Sequence, residues 1–331
     1  MSQELIQYKN YRLIELKNIY NNNYKIAIQI YNNSVNIILR SRSLTKSQQI
    51  NKAKSILVST ISNLTNKYNA DILAVKNFIP KQIVINKEKK ALLVGINYIG
   101  TQNELFGCIS DVKSIKERIQ QKGFTNINVI TDLTTKKPTK STILTEFKNL
   151  LINSQSGDLL FFLYSGHGSY TLDKNNDETD GYDELIVSSD LQGITDDEFK
   201  TIIQQNLKQD VTLFAMFDSC FSGSVLDLRY QYMDSLNYDN YTENNKATIT
   251  IGNVFMISGC TDEQTSADAV FDNKPNGAMT WSLLESLKQK PNVNWRELVK
   301  SMRNLLKTSK FSQIPQFSSG NFVDIDKKIF I

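Results

Sequence analysis

The sequence has little of what stabilises small secreted domains and no segment that predicts a membrane span. Its 331 residues include three cysteines and five prolines. The three cysteines, Cys108, Cys220 and Cys260, are too few and too scattered for a disulfide framework or a CxxC metal motif. No apolar run reaches the length of about 18 residues that a membrane helix needs, and the first 30 residues lack the apolar core of a signal peptide. We therefore expect a soluble, cytoplasmic protein with reduced thiols and no membrane partner.

Histidine is scarcer still, because the chain contains only His167. Imidazole is the side chain whose ordinary pKa lies nearest to neutral pH. Any reaction that needs a base near pH 7 would therefore most naturally use this residue.

Charge is unevenly distributed along the chain. Residues 1–90 contain 15 Lys and Arg against 4 acids, a net charge of +11, whereas the remaining 241 residues have a net charge of −7. The basic residues are dispersed instead of clustered, so we expect no binding to nucleic acid. The charged segment 86–90 (NKEKK) precedes an apolar run and predicts a boundary. We assign residues 1–89 to an N-terminal extension, which is a candidate regulatory segment or pro-segment. Residues 90–331 are assigned to the main domain.

The apolar segments predict the fold class. In the extension, residues 24–31 and 35–40 resemble two strands, and residues 46–65 have helical spacing. From residue 91 onward, continuously apolar segments alternate with helical ones, which predicts an α/β domain with a largely parallel central sheet and helices on both faces. The predicted strands are 91–97, 127–131, 158–166, 184–190, 211–220 and 254–260, and the predicted helices are 108–122, 140–153, 196–206, 277–289 and 294–308.

Two of the predicted strands end in reactive residues. One is followed by His167 and Gly168, and the other ends in Cys220. In an open parallel sheet, functional groups collect at the carboxyl ends of the strands. A histidine there can activate a thiol, and the thiolate can attack a peptide carbonyl to form an acyl-enzyme. The backbone N–H groups of Gly168 and Cys220 would form the oxyanion hole. No third catalytic residue is evident.

Taken singly, a cysteine is more often a small buried apolar residue and a histidine a hydrogen-bonded core residue. Here both residues stand in polar, glycine-rich segments at strand ends, which favours chemistry over packing.

The segments around these two residues resemble the paired histidine and cysteine motifs of type I metacaspases, which belong to the caspase-like cysteine peptidases. The resemblance covers residues 90 to 320, with every motif in the same order. The matching segments are NELFGCISD (103–111), YSGHG (164–168), DETDGYDELIV (177–187), ITDDEF (194–199), FDSCFSG (217–223), SVLDL (224–228), SGCTDEQTSADA (258–269) and GAMTWSL (277–283).

This resemblance implies a caspase-like three-layer α/β sandwich, a catalytic dyad of His167 and Cys220, and cleavage after Lys or Arg. The pocket for the basic side chain would include Asp111, Ser165, Asp218 and Cys108. The position of Asp218 independently favours this specificity, because a carboxylate two residues before the nucleophile would attract a cationic substrate side chain and repel an acidic one. The alternative for Asp111 is an ordinary acid in the first turns of a helix.

The resemblance also implies activation by calcium, with Asp180, Asp196 and Asp197 as ligands. These residues belong to an acidic stretch between His167 and the next helix, and their oxygen donors suit Ca²⁺ better than zinc or iron. The alternative is a solvated acidic loop. The stretch is not an EF-hand, because Glu178 stands where that loop needs glycine.

Regulation by the N-terminal segment is a further hypothesis. The basic extension could lie across the acidic domain and inhibit it until it is cleaved. The candidate self-cleavage positions are Lys87, Lys89, Lys90, Lys246 and Lys274. The resemblance also implies a monomer.

Two rival functions remain open at this point. One is a catalytically silent caspase-like scaffold that binds calcium or proteins. The other is a hydrolase of non-peptide esters or amides, which would predict a neutral pocket in place of Asp111 and Asp218.

Overall fold

The computed structural model describes residues 12–14, 16–26, 28–29, 32, 45–77, 87–172, 181–220, 225–232, 241–244, 250–259, 268–271 and 274–329. The chain divides into two compact units, residues 1–84 and residues 85–331. Within the described residues, no helix is both long enough and apolar enough to cross a membrane.

The N-terminal unit is helical over its described residues. Helix α1 (Lys46–Asn77) contains the whole helix predicted at 46–65, and residues 16–26 and 28–29 are helical as well. The ring of Tyr20 stacks on that of Tyr68 with a centroid distance of 4.5 Å. The strand predicted at 24–31 is therefore wrong, because helical packing overrides the alternating isoleucines that suggested it. The strand predicted at 35–40 lies outside the described residues.

The larger unit is built around an eight-stranded sheet with the strand order β2-β1-β3-β7-β10-β13-β8-β9. The first five strands of this order run parallel, and the last three continue the sheet with antiparallel pairings. The strands of this sheet are β1 (Lys89–Gly95), β2 (Asn126–Thr131), β3 (Leu159–Ser165), β7 (Thr212–Asp218), β8 (Tyr230–Tyr232), β9 (Tyr241–Glu243), β10 (Asn253–Ser258) and β13 (Gln316–Ser319).

Five helices cover the two faces of this sheet. Alternate residues of each central strand point to opposite faces, so Phe162 packs with α3 and α4, whereas Phe161 packs with α2, α5 and α6. These helices are α2 (Cys108–Gln121), α3 (Lys140–Ile152), α4 (Asp196–Asn206), α5 (Ala278–Gln289) and α6 (Trp295–Thr308). The prediction of a largely parallel sheet between two helical layers is confirmed.

Two smaller sheets accompany the central one. A three-stranded antiparallel sheet follows β3 in the chain and leads into α4, and a hairpin precedes α5. Their strands are β4 (Gly168–Leu172), β5 (Tyr182–Val187) and β6 (Gly193–Thr195), and β11 (Asp268–Phe271) and β12 (Lys274–Gly277). The small sheet thus connects the histidine segment directly to the acidic start of α4.

Candidate active site

The register between β3 and β7 brings the predicted dyad to one place. These strands are parallel neighbours at the centre of the sheet, and Ser165 at the end of β3 pairs with Asp218 at the end of β7. His167 and Cys220 each lie two residues beyond this pair. Both are partly exposed at the carboxyl edge of the sheet.

The two segments touch through their backbones. A Cβ atom placed on Gly168 would collide with the carbonyl oxygen of Cys220 and would stand 3.3 Å from the Cys220 amide nitrogen. Only glycine permits this approach. The two N–H groups predicted for the oxyanion hole, those of Gly168 and Cys220, therefore belong to segments in direct contact.

The imidazole of His167 is held by a main-chain acceptor. Its Nε2 atom lies 2.8 Å from the carbonyl oxygen of Asn103. A carbonyl oxygen can only accept a hydrogen bond, so Nε2 donates and carries the proton. In the neutral ring Nδ1 is then unprotonated and is the nitrogen able to accept a proton from a thiol.

Two tyrosines surround the backbone of His167. Its N–H donates to the hydroxyl of Tyr98 at 2.9 Å, and its carbonyl accepts from the hydroxyl of Tyr164 at 2.8 Å. The ring of Tyr98 also lies against the imidazole, with centroids 4.7 Å apart. Sequence reasoning selected none of Tyr98, Asn103 and Tyr164 as site residues.

Three of the four predicted specificity residues meet at the N-terminus of α5. Asp111 accepts hydrogen bonds from the Gly277 amide at 2.9 Å and from the Ser165 hydroxyl at 2.8 Å. Asp218 accepts from the amide of Thr280 at 2.8 Å. A Cβ on Gly277 would lie 2.6 Å from the carboxyl carbon of Asp218 and 2.8 Å from Asp111 Oδ2. Both carboxylates thus face the positive end of the α5 dipole.

These predicted specificity residues are buried. Asp111 is 0% exposed and Asp218 is 5% exposed. The fourth residue, Cys108, is also buried and begins α2 one turn before Asp111. In this conformation the acids therefore satisfy the free N–H groups of a helix, which is a structural role in its own right.

An acidic cluster lies at the N-terminus of α4. One carboxylate oxygen from each of Asp183, Asp196 and Asp197 lies within 4.8 Å of the others. Burial, reinforced by the charges of Asp183 and Asp197, raises the pKa of Asp196 to about 7. The structure thus groups two of the predicted calcium ligands with Asp183, which the prediction omitted, while Asp180 lies outside the described residues. Three crowded carboxylates, two of them on buried residues, fit a hard cation bound through oxygen.

The candidate self-cleavage lysines differ in their setting. Lys87 is exposed and precedes β1, whereas Lys89 and Lys90 lie within β1, between two neighbouring strands. The Lys90 ammonium is buried and pairs with Asp158 at 3.0 Å. Lys274 lies in the β11–β12 hairpin, and Lys246 lies outside the described residues. Cleavage after Lys89 or Lys90 would require β1 to leave the sheet, so Lys87 is the most accessible of the three.

Together, the sheet and the two glycine-flanked segments define an α/β protein with a cysteine-hydrolase type of site. Comparison with known proteins gives the family. The model of the metacaspase, peptidase C14 domain matches residues 89–229. Metacaspase-1 from Meyerozyma guilliermondii is 34% identical over 291 residues, which cover 72% of this chain and 71% of the relative. Metacaspase-1 from Candida albicans is 33% identical over 309 residues, which cover 76% of this chain and 69% of the relative.

A solved structure of a protein from Geobacter sulfurreducens has the same fold. It aligns with a TM-score of 0.55 at 24% identity and covers 73% of this chain and 98% of that one. The chain belongs to the metacaspase family, whose members are caspase-like cysteine peptidases, and its fold is the predicted caspase-like α/β sandwich.

Proposed function

We propose that this protein is a calcium-dependent cysteine endopeptidase that cleaves after Lys or Arg. The observation that carries the proposal is the pairing of Ser165 with Asp218. This register brings the two dyad segments together and places an acid beside them at the same strand ends.

The proposed reaction uses the dyad in two steps. The Cys220 thiol transfers its proton to Nδ1 of His167, and the sulfur attacks the peptide carbonyl carbon. The imidazolium returns the proton to the leaving amine as the C–N bond breaks and the acyl-enzyme forms. Water, deprotonated by His167, then hydrolyses the thioester. The N–H groups of Gly168 and Cys220 would stabilise the oxyanion, and each donor of this kind contributes about 3 kcal/mol.

Preference for basic residues is supported by Asp111 and Asp218, which lie close to the dyad. Both accept N–H groups from the start of α5. An ammonium or guanidinium that replaces one of these donors would form a charge-assisted hydrogen bond, and an acidic side chain would be repelled.

Calcium activation is supported by the acidic cluster. Asp183, Asp196 and Asp197 would hold the ion, together with Asp180 as the family resemblance implies. When bound, the cation would supply positive charge that relieves the repulsion among these carboxylates. One turn further along α4, Lys200 forms an ion pair with Asp227, which follows Cys220 in the chain. This pair connects the acidic cluster to the segment beyond the nucleophile.

A peptide assay tests the proposal. Fluorogenic peptides that end in Arg, Lys or Asp would be compared with about 1 mM calcium and with excess chelator. We expect cleavage of the Arg and Lys peptides only with calcium, and no cleavage by Cys220→Ala. For Asp111→Asn, kcat/KM on the Arg peptide should fall by about tenfold or more through loss of the ion pair.

Asp158→Asn is the matched control, because it neutralises another buried acid at the opposite edge of the sheet. It should retain the preference for Arg over Asp. Equal activity in calcium and chelator would contradict calcium dependence. A wild-type protein that binds calcium and cleaves none of the peptides would favour the silent scaffold.

Self-processing and restraint by residues 1–89 are also proposed. They rest on the opposite charges of the two segments and on the exposure of Lys87. After incubation with calcium, mass spectrometry should find a new terminus after Lys87 in the wild type and none in Cys220→Ala. An intact wild-type mass under conditions in which the peptides are cleaved would rule out self-processing.

A further inference from the structure

Tyr98 holds an unusual backbone conformation beside the histidine of the dyad. It follows β1, is 2% exposed, and has a φ of +52°. Left-handed φ values are unfavourable for a bulky aromatic residue, and they persist where the surrounding structure imposes them, often at functional sites. The surrounding structure therefore holds this side chain at one position beside His167.

The contacts of Tyr98 converge on His167. Its ring lies against the imidazole at a centroid distance of 4.7 Å and an interplanar angle of 37°. Its hydroxyl accepts the N–H of His167 at 2.9 Å and donates to the carbonyl of Val187 at 2.6 Å. One side chain thus constrains both the ring and the backbone of the histidine.

Tyr164 completes the arrangement from the other side. Its hydroxyl lies 3.0 Å from that of Tyr98 and donates to the carbonyl of His167 at 2.8 Å. A Cβ on Gly166 would stand 2.5 Å from the Tyr164 hydroxyl and 3.0 Å from that of Tyr98. The glycine before the histidine therefore leaves the space that the two hydroxyls fill.

The loop that begins at Tyr98 also supplies the acceptor for the imidazole. Thr101 donates both its amide and its hydroxyl to the Tyr98 carbonyl, at 3.1 and 2.8 Å, and so closes a turn. Two residues later, the Asn103 carbonyl binds Nε2 of His167. A shift of Tyr98 would therefore move the group that fixes the tautomer of the ring.

We propose that Tyr98, supported by Tyr164, is a positioning residue that holds the imidazole of His167 with Nδ1 available to the Cys220 thiol. It acts through His167, whose ring and backbone it contacts. The proposal rests on the dyad of the proposed function and does not depend on calcium or on the basic-residue preference. Burial raises the pKa of both tyrosine hydroxyls well above the usual value, so both remain protonated at neutral pH.

The test compares Tyr98→Phe, which removes only the hydroxyl, and Tyr98→Leu, which also removes the ring contact. The matched control is Tyr232→Phe. Tyr232 is also buried, at 3% exposure, and its hydroxyl accepts a backbone N–H, that of Val323, at 2.7 Å. It packs on the opposite face of the sheet from Tyr164.

Two readouts separate positioning from stability. The first is kcat and KM on the Arg peptide. The second is the pH profile of Cys220 alkylation by iodoacetamide, followed by mass spectrometry of the Cys220 peptide. For Tyr98→Phe we expect kcat to fall by about tenfold with KM unchanged, and for Tyr98→Leu by about a hundredfold. Alkylation of both variants should require a higher pH, because a displaced imidazole stabilises the thiolate less. Tyr232→Phe should match the wild type in both readouts.

The proposal is overturned if both Tyr98 variants keep the wild-type kcat and alkylation profile. It is also overturned if the loss of kcat in each Tyr98 variant equals the fraction of that variant that is unfolded under the assay conditions. Failure of the dyad itself would look different: wild-type Cys220 would then react no faster than the same cysteine in the urea-unfolded protein.

Discussion

At Gly168 the backbones of the histidine segment and the cysteine segment are in contact. Its missing side chain leaves room for the carbonyl oxygen of Cys220. Inserting a methyl group into packed backbone costs about 1–3 kcal/mol and displaces the neighbouring segments. The approach of the two segments therefore depends on the lack of a Cβ atom at residue 168.

We predict that Gly168→Ala lowers both stability and activity, with kcat reduced by about a hundredfold because a shift of about 1 Å misplaces the nucleophile. Gly252→Ala is the matched control, since a Cβ there would meet the backbone carbonyls of Val211 and Lys208 at 2.7 and 2.8 Å, away from the site. Thermal unfolding and peptide cleavage of both variants would check this. A Gly168→Ala protein with a wild-type kcat would contradict the role given to this contact.

Sequence reasoning selected the two side chains that the structure brings to one edge of the sheet, but not the groups that orient His167. His167 and Cys220 stand out because a single histidine and a strand-end cysteine are visible in the sequence. The carbonyl of Asn103 is invisible there, because every residue has one and only the folded loop aims this one at Nε2. Tyr98 had a local signal, its position after an apolar strand, but its left-handed φ is a product of tertiary packing.

At the scale of elements, α4 connects the acidic cluster to the nucleophile segment. Its first turn carries Asp196 and Asp197, and the capping pair of Thr195 and Glu198 fixes where the helix begins. Four residues after Asp196, Lys200 pairs with Asp227. The helix that carries the acidic first turn therefore also contacts the chain beyond Cys220.

On the proposed calcium activation, we predict that the double variant Lys200→Met, Asp227→Asn raises the calcium concentration for half-maximal cleavage by about fivefold or more. Both charges are removed so that neither is left buried alone. Lys208→Met is the control, because its ammonium binds the carbonyls of Ile152 and Ser154 away from the cluster. An unchanged calcium midpoint in the double variant would show that α4 does not transmit the effect.

The elements were predictable where apolar patterns are long and continuous. Strands β1, β3 and β7 appear where the sequence placed them, because burial on both faces leaves a continuously apolar segment. Helices α2 to α6 do so because their apolar residues recur at helical spacing. The last two strands of the sheet, β8 and β9, span only three residues each, which is too short for any periodicity. Residues 24–26 and 28–29 are helical despite their alternation, which shows that a short alternating segment does not determine a strand by itself.

At the scale of the whole molecule, a buried ion pair holds the edge of the sheet opposite the active site. The Asp158 carboxylate accepts hydrogen bonds from the Lys90 ammonium and from the amides of Glu88 and Gln155. Burial alone would raise the pKa of Asp158, but these hydrogen bonds offset it and hold the pKa below its ordinary value. The chain before β1 is thereby fastened to the start of β3.

This pair predicts a pH dependence of stability. Because the folded-state pKa of Asp158 is lowered, its contribution is complete above the ordinary value of 3.8 and is lost as the pH falls below it. Asp158→Asn should lower the free energy of unfolding at pH 7 by about 3 kcal/mol and flatten the acid limb of the stability curve. Asp210→Asn, an exposed acid in a nearby turn, is the control for urea titrations between about pH 2 and pH 7. Parallel acid limbs in the wild type and Asp158→Asn would contradict the assignment.

The hydrogen bond from His167 to Asn103 implies one tautomer of the imidazole, and NMR spectroscopy can test it. Because the chain has one histidine, ¹⁵N-labelled histidine would give a single pair of imidazole signals. Their chemical shifts report which nitrogen bears hydrogen, so the tautomer deduced from the carbonyl acceptor can be read directly in solution. The same two resonances, followed during a titration or after alkylation, would report on the environment of His167 without overlap from any other histidine.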